Sequence, residues 1–271
     1  MTILIDTHAH VQFEQYQEDR EKLIEQCLSE GVGMILVGCD YDSSVKAVEL
    51  AEQYRNRAVW AAVGQHPTDT ELPFQPKDFA DLAKKSNRVV GVGECGLDYY
   101  HLPHDASAEA QKARQKELFA AHLELSSDLF KPLIIHCRDA HDDMLEMLLA
   151  HFTSGGIHSL MQQREHGVMH CFIGTVQQAR SYLDLGFLIS FTGIITFAKQ
   201  YDEVVRSVPL EKILIETDSP FLTPAPYRGK RNSPAYVKYV AEKIAELKGM
   251  TVERVATQTT ENAQRLFGLW C

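Results

Sequence analysis

Short apolar runs recur along the chain, and a helical pattern of apolar residues stands between most of them. Continuous apolar character, rather than alternation with polar residues, is typical of parallel strands that are covered on both faces. Eight such strands alternating with helices predict an α/β fold, a (β/α)8 TIM barrel. The predicted strands are Ile3–Ile5, Met34–Val37, Val59–Val63, Val89–Val92, Leu133–Ile135, Val168–Met169, Leu188–Phe191 and Ile213–Ile215.

The segments between these runs place apolar residues three and four positions apart, as amphipathic helices do. A length of 271 residues suits one barrel, so we expect residues 1–271 to form a single domain. The alternative is an open doubly wound sheet, but no G-x-G-x-x-G phosphate loop follows the first run. The predicted helices are Glu18–Ser29, Ser43–Tyr54 with serine caps, Lys112–Leu129, Asp142–His151, Val176–Leu185, Tyr201–Val208, Ala235–Leu247 and Val252–Phe267.

Composition limits the partners and the location that we expect. A formal net charge of −10 argues against a broad basic surface for duplex DNA, although it is compatible with a small basic cleft. No apolar run approaches the roughly 20 residues that span a bilayer, and no apolar targeting segment follows Ile5. We therefore expect a cytoplasmic protein with free thiols, no membrane segment and no obligate protein partner.

The first apolar run leads directly into His8 and His10. Side chains two positions apart on a strand point the same way, so both imidazoles leave the strand end together. Imidazole is the commonest metal ligand in proteins. The pair therefore indicates part of a metal site, with a surface pair of histidines as the simpler alternative.

Further histidines and carboxylates follow other predicted strands. Active sites in β/α barrels are built at the carboxyl ends of the strands, so we expect these side chains on one rim. Their number exceeds what one tetrahedral ion needs, whereas two ions that share a carboxylate would use them all. The residues therefore predict a binuclear metallohydrolase. The strand ends that supply these side chains carry His8 and His10, Gln65-His66-Pro67, Gly93–Asp98, His136–Asp139, His170-Cys171 and Glu216–Pro220.

Several motifs carry a resemblance to a known family. They are Asp6-Thr7-His8-Ala9-His10, Gly93-Glu94-Cys95-Gly96-Leu97-Asp98-Tyr99-Tyr100, His136-Cys137-Arg138-Asp139-Ala140, His170-Cys171-Phe172 and Glu216-Thr217-Asp218-Ser219-Pro220. In this order they resemble the TatD family of metal-dependent deoxyribonucleases, which belongs to the amidohydrolase-like barrel superfamily. The resemblance covers essentially the whole chain.

The resemblance implies a division of the ligands between two divalent cations. His8, His10 and Asp218 would hold one ion, His136 and His170 the other, and Glu94 would bridge both. His66 falls in the family's pocket-lining Gly-His-Pro segment, where Gln65 departs from the expected apolar residue. The identity of the metals stays open among Mg, Mn and Zn, because mixed nitrogen and oxygen ligands accept several ions.

Two carboxylates are candidate catalytic residues. Asp218 could accept the proton of the attacking water, and Glu94 would bridge the ions. Glu216 stands two residues before Asp218, on the same strand face. It is either a partner for a ring nitrogen of a metal-bound histidine or the acceptor of a structural hydrogen bond.

Basic and aromatic residues near these motifs suggest a phosphodiester substrate. Arg138, Arg228 and Lys230 could grip phosphate, and Tyr99 beside Tyr100 could stack on a base. The simpler alternatives are solvated charges and aromatic packing under a loop. We expect an exonuclease on single-stranded or frayed DNA ends. The 3′ to 5′ polarity comes from the family resemblance, and RNA stays open as a substrate.

Two other functions compete with the nuclease. A metal-dependent amidohydrolase or lactonase would use the same ions on the same barrel. Such enzymes often bridge the ions with a carboxylated lysine, and Glu94 in that position favours the nuclease. A metal-dependent binding protein without activity is the other class, and the complete ligand set argues against it. The loop His101–Ser107 receives no role, and Thr153–Gly167 is interpreted as a surface insertion without chemistry.

Overall fold

The computed structural model describes residues 4–153 and 165–269, and its centre is a sheet of eight parallel strands. The strands are β1 (Leu4–Ala9), β2 (Val32–Val37), β3 (Val59–Val63), β4 (Val89–Asp98), β5 (Leu133–Arg138), β6 (Gly167–Met169), β7 (Phe187–Phe191) and β8 (Ile213–Ile215). Each strand pairs with the next along the chain. The segment after β8 returns to β1, because the backbone N–H of Asp218 donates to the carbonyl of His8 (2.9 Å) and that of His10 to the carbonyl of Ser219 (2.8 Å). The barrel is therefore nearly closed, and the (β/α)8 prediction is confirmed.

Helices surround the barrel and connect its strands. One of them, Pro76–Lys84, is absent from the sequence prediction. It begins with Pro76, a residue favoured at the first helical position, and buries Phe79 and Leu82. The helices are α1 (Arg20–Ser29), α2 (Tyr41–Gln53), α3 (Pro76–Lys84), α4 (Ala108–Leu129), α5 (His141–Thr153), α6 (Val176–Asp184), α7 (Asp202–Ser207), α8 (Val237–Lys248) and α9 (Val252–Phe267).

The start of α2 corrects the predicted serine cap. Asp40 is the N-cap, and its Oδ1 accepts the backbone N–H of Ser43 at 2.6 Å. The Ser43 hydroxyl accepts the backbone N–H of Asp40 in return, at 3.0 Å. This reciprocal capping box begins the helix two residues earlier than predicted.

One end of the barrel is closed by α9. An apolar side chain from every strand fills the interior, and this cluster extends to Leu266 and Phe267 of α9. Nδ2 of Asn262 donates to the carbonyls of Leu210 and Ile213, just before and at the start of β8, at 2.8 Å each. The helix therefore covers the amino-terminal ends of the strands, which leaves their carboxyl ends for a site. The interior strand residues are Ile5, Ile35, Val37, Trp60, Ala62, Val90, Ile134, Val168, Leu188 and Leu214.

Three strands run further than the apolar pattern predicts. β1 extends to Ala9, β4 to Asp98 and β5 to Arg138. Gly96 pairs with His136, so parallel pairing continues through the polar motifs. Glu94 and His136 consequently lie within strands rather than beyond them. Polar side chains do not end a strand when the neighbouring strand continues to supply backbone partners.

Some predictions concern regions at the edge of the described structure. Of the proposed insertion Thr153–Gly167, residues 154–164 lie outside the described residues, as does Ile3 of the first predicted strand. Among the helices that the structure describes, none is long and apolar enough to cross a membrane. The described cysteines Cys27, Cys39, Cys95, Cys137 and Cys171 are free thiols.

Candidate metal centre

The carboxyl end of β1 and the middle of β4 meet the loop after β8, and four donor atoms come together there. Nε2 of His8 lies 3.1 Å from Nε2 of His10 and 3.3 Å from Oε2 of Glu94. Oδ1 of Asp218 lies 3.3 Å from Nε2 of His10 and 3.8 Å from Nε2 of His8. A tetrahedral ion with ligand distances of about 2.0–2.2 Å separates its ligand atoms by roughly 3.3–3.6 Å. The four atoms therefore fit one divalent cation.

The hydrogen bonds of the two histidines also suit a cation. Nδ1 of His10 lies 2.7 Å from the carbonyl of Val37, which can only accept, so His10 donates from Nδ1 and keeps a lone pair on Nε2. His8 is fully buried, and its Nε2 faces Nε2 of His10 and the oxygens of Glu94 and Asp218. A shared cation would satisfy the facing nitrogens and the two carboxylates together.

The second oxygen of Glu94 faces another group of histidines. Oε1 lies 3.0 Å from Nδ1 of His136, 3.6 Å from Nε2 of His170 and 3.6 Å from Nε2 of His66. Glu94 thus presents one oxygen to each cluster. A carboxylate that bridges two ions needs this arrangement, and the residues fit a pair of divalent cations.

Two buried carboxylates contact the outer nitrogens of the second cluster. Oδ2 of Asp98 lies 2.9 Å from Nε2 of His136. Oε1 of Glu216 lies 2.8 Å from Nδ1 of His170 and accepts the backbone N–H of Cys171 at 2.6 Å. Metal-binding histidines commonly have such partners, which fix the ring orientation. Both interpretations of Glu216 therefore apply: it contacts a histidine and makes a structural hydrogen bond.

The first residue of the β1 motif has a structural role beside the site. Oδ1 of Asp6 accepts the backbone N–H of Thr217 at 2.9 Å and that of His8 at 3.2 Å. Complete burial raises the pKa of Asp6 to about 8. Asp6 therefore ties β1 to the segment after β8, and this contact holds His8 and Asp218 on adjacent chain segments.

The carboxylates of the site stay ionised in spite of their burial. Burial raises the pKa of Glu94, but the surrounding imidazoles, His8 first, lower it well below the usual range. In the same way burial raises the pKa of Asp218, but the neighbouring imidazoles, His10 first, lower it below its usual value. Burial lowers the pKa of His66 to about 4, so this imidazole is neutral at pH 7. The site therefore offers negative oxygens to a cation.

A cavity of about 750 Å³ opens above these residues. Its wall includes Glu94, Asp218 and His66 together with Arg138, whose guanidinium lies 3.6 Å from the ring centre of Tyr100. The rest of the wall combines Asp69, further histidines and cysteines with a set of apolar and aromatic side chains, so a substrate meets both polar and apolar surface. The apolar and aromatic residues are Phe13, Ile173, Ile194, Tyr201, Phe221 and Leu222.

The other candidate substrate residues, Tyr99, Arg228 and Lys230, are not among the residues that line this cavity. Tyr99 lines a neighbouring groove, and its hydroxyl donates to Asp143 at 2.5 Å. Arg228 stacks on Phe197 at 3.6 Å, and Lys230 lies 5.8 Å from the ring of Tyr227. Among the described residues that line the cavity, His66 and Arg138 are therefore the candidates that the structure brings to the centre.

Comparison with known proteins identifies the family to which the chain belongs. The model of a family described as TatD related DNase matches residues 5–268. The chain belongs to this family. It is 43% identical over 270 residues to the uncharacterized metal-dependent hydrolase YabD of Bacillus subtilis. The alignment covers 98% of this chain and 99% of that protein. The TatD resemblance of the motifs is thus confirmed.

Two further relatives extend the comparison. The chain is 31% identical over 277 residues to the 3′-5′ ssDNA/RNA exonuclease TatD of Salmonella typhimurium, with 97% of this chain and 98% of that protein covered. The crystal structure of YjjV, a TatD homolog from Escherichia coli K12, has a TM-score of 0.86 and 27% identity, with 98% of each chain covered. As a TatD-family protein, the chain is a metal-dependent hydrolase built on a (β/α)8 barrel.

Two residues beside this site, Asp98 and His101, have no role in the prediction from sequence. Asp98 contacts His136, and His101 contacts Asp98 at 2.9 Å. Asp98 stands four positions after Glu94 within β4, and strand periodicity places both side chains on one face. The apolar pattern predicts a strand that ends at Val92. The spacing of Glu94 and Asp98 therefore lies outside the predicted strand and could not be interpreted as strand periodicity.

Proposed function

We propose that this chain hydrolyses DNA phosphodiester bonds with two divalent cations and removes nucleotides from the 3′ ends of single strands. The observation that carries the proposal is Glu94, whose two oxygens face two separate clusters of histidines. The name of the Salmonella relative supports the substrate and the polarity. The net charge of −10 favours binding of a strand end over a long duplex.

Six clustered side chains would hold the ions. His8, His10 and Asp218 would bind one, His136 and His170 the other, and Glu94 both. When bound, such ions lower the pKa of water and stabilise negative charge on the phosphate. The mixed nitrogen and oxygen donors suit Mn or Zn, and Mg would rely mainly on the carboxylates.

Asp218 accepts the proton of the attacking water. Its side chain is 15% exposed, whereas that of Glu94 is 5% exposed, so Asp218 is the more accessible of the two carboxylates. The lowered pKa keeps Asp218 ionised at neutral pH, so its oxygens carry no proton before the water attacks. Its backbone N–H is bound to the carbonyl of His8, which fixes the carboxylate relative to the floor of the cavity.

Arg138 binds the scissile phosphate. A guanidinium can give a phosphate two parallel hydrogen bonds, and stacking on Tyr100 limits the movement of this one. Neutral His66 beside Glu94 contributes a hydrogen bond without adding positive charge to the floor. Together these residues hold the phosphate above the carboxylates.

An amidohydrolase or lactonase activity is the second candidate. The apolar side of the cavity, with Ile194, Phe221 and Leu222, would also accommodate a small apolar ester. The same fold and ligand chemistry serve several reactions, so direct assay has to decide between them.

The decisive assay supplies both substrate classes to one preparation. Metal-stripped protein is reconstituted with Mg²⁺, Mn²⁺ or Zn²⁺ and given 3′-labelled and 5′-labelled single strands, matched RNA, duplex DNA and a lactone panel. We expect labelled mononucleotide from the 3′-labelled strand and a ladder of shortened products from the 5′-labelled strand. Glu94→Gln should abolish both. Turnover of lactones without cleavage of any nucleic acid would overturn the proposal.

A further inference from the structure

The carboxylate of Asp98 is shared by two imidazoles. Its Oδ2 lies 2.9 Å from Nε2 of His136 and 2.9 Å from Nδ1 of His101, and its Oδ1 accepts the backbone N–H of His101 at 2.9 Å. The Asp98 side chain is fully buried. Side chain and backbone of His101 are thus held by one rigid carboxylate at the end of β4.

The opposite edge of His101 is accessible. The side chain is 53% exposed and lines the cavity that contains Glu94 and Asp218. Nε2 of His101 has no hydrogen-bond partner in the part of the chain that the structure describes. An imidazole fixed at Nδ1 by a carboxylate and open at Nε2 is arranged to transfer a proton to a ligand in the cavity.

The same wall carries the proposed phosphate ligand. The ring of His101 packs edge-on against Tyr100, with 5.0 Å between centroids, and the guanidinium of Arg138 covers Tyr100 at 3.6 Å. Arg138 and His101 therefore border one part of the cavity, with a single aromatic ring between them. A phosphate ligand at Arg138 and a proton donor at His101 would therefore share one cavity.

We propose that His101 is the general acid that protonates the leaving sugar oxygen, an inference that rests on the proposed nuclease function. The water oxygen forms a bond to phosphorus while the bond from phosphorus to the sugar oxygen breaks. Asp218 takes one proton from the water, and the sugar oxygen takes the Nε2 proton of protonated His101. Solvent then returns a proton to exposed His101 and receives one from Asp218. Asp98 acts as the positioning residue that holds the imidazole.

The nature of the leaving group separates this role from simple binding. A sugar alkoxide is a poor leaving group and needs a proton, whereas p-nitrophenolate leaves without one. Loss of a general acid typically slows a reaction by 10²- to 10⁴-fold, and only where protonation matters. A residue that merely binds the phosphate would affect both kinds of ester alike.

The test is the variant His101→Gln, measured under single-turnover conditions on a single-stranded oligonucleotide and on the p-nitrophenyl ester of thymidine 5′-phosphate. We expect a loss of about 10²-fold or more on the oligonucleotide and less than about threefold on the p-nitrophenyl ester. The matched control is His104→Gln, because His104 is exposed in the same loop and is not among the residues that line the cavity. This control should keep the wild-type rate on both substrates.

Two outcomes would overturn the role of His101: equal losses on both esters, or no loss on either. Thermal unfolding of each variant checks that the fold is retained. The nuclease proposal fails separately, if wild-type protein cleaves neither the oligonucleotide nor any other DNA. In that case the role of His101 is tested on the esters that the enzyme does hydrolyse. The rates of His101→Gln on an alkyl ester and on an aryl ester of the same acid are then compared.

Discussion

Oδ2 of Asp98 lies 2.9 Å from Nε2 of His136, on the side of the imidazole opposite Glu94. A carboxylate in this position holds a metal-binding histidine in one tautomer and one orientation. The contact joins adjacent strands β4 and β5, since Asp98 pairs with Arg138 in the sheet. It therefore explains why an acidic residue stands at the end of the Glu94 motif.

Removing this charge should weaken one metal site more than the other. Asp98→Asn is expected to lower the affinity for the ion at His136 and His170 by about 10- to 100-fold. The site at His8 and His10 should change far less. Titration of metal-stripped protein by calorimetry would show one weakened and one retained binding step. Asp81→Asn on the exposed surface of α3 is the matched control. Equal weakening of both steps would contradict the assignment.

Glu216 should support His170 in the same manner. Its Oε1 lies 2.8 Å from Nδ1 of His170, and Glu216→Gln replaces the charged carboxylate by a neutral amide. We expect metal affinity and the rate of hydrolysis to fall by about tenfold, at the lower end of such effects. Glu216→Ala should lower the metal affinity and the rate further, because it also removes the acceptor of the Cys171 N–H. If Glu216→Gln binds metal as tightly as the wild type, the role of Glu216 is limited to its hydrogen bond with the backbone N–H of Cys171.

Arg138 should contribute to substrate binding rather than to metal binding. Arg138→Gln removes the charged donor above Tyr100. We expect KM for single-stranded DNA to rise about tenfold or more, since a hydrogen bond to a charged group is worth about 1.5–3 kcal/mol. The dependence of binding on salt should also become shallower, by about 0.7 in the logarithmic slope for each lost phosphate contact. Arg180→Gln on α6 is the control. A change in metal affinity with unaltered KM would reject this role.

Stability should depend on pH through His122, which lies apart from the metal clusters. Its Nδ1–H donates to the carbonyl of Leu118 at 2.8 Å, and its Nε2 accepts the N–H of Gln65 at 3.0 Å, so the folded state needs the neutral ring. Burial lowers the pKa of His122 to about 4, below the value of about 6.5 for an unfolded chain. Between these values the unfolded chain binds a proton that the folded chain does not.

The contribution of His122 to the free energy of unfolding is therefore complete above pH 6.5 and is lost as the pH falls towards 4. The loss amounts to about 3 kcal/mol. Urea unfolding at pH 7, 5.5 and 4.5 should show a smaller dependence on pH in His122→Gln than in the wild type. Identical dependence in the two proteins would mean that His122 does not titrate as its burial indicates.

The sequence predicts the barrel, and the gathering of polar side chains at one rim, for a physical reason. Covered parallel strands must be apolar throughout, and polar residues at their carboxyl ends must share a rim. Contacts around the donors are less predictable, because the partner of a ring nitrogen depends on a neighbouring strand. Asp98 and Glu216 illustrate this limit.

The contacts of loop side chains are the least predictable from sequence. Tyr99 and Tyr100 are adjacent in sequence, yet Tyr99 binds Asp143 in a neighbouring groove while Tyr100 lies under Arg138. Arg228 stacks on Phe197 instead of entering the cavity. A basic loop residue next to a site can pack on a local aromatic ring, and its spacing in sequence carries no information about that choice.

The central claim is that two ions share Glu94, and anomalous scattering from crystals soaked with Mn²⁺ or Zn²⁺ tests it most directly. We predict two peaks about 3.5–4 Å apart, one among His8, His10 and Asp218 and the other between His136 and His170, with Glu94 contacting both. A single peak, or a second peak in the neighbouring group of His66, Asp98 and His136, would contradict the claim.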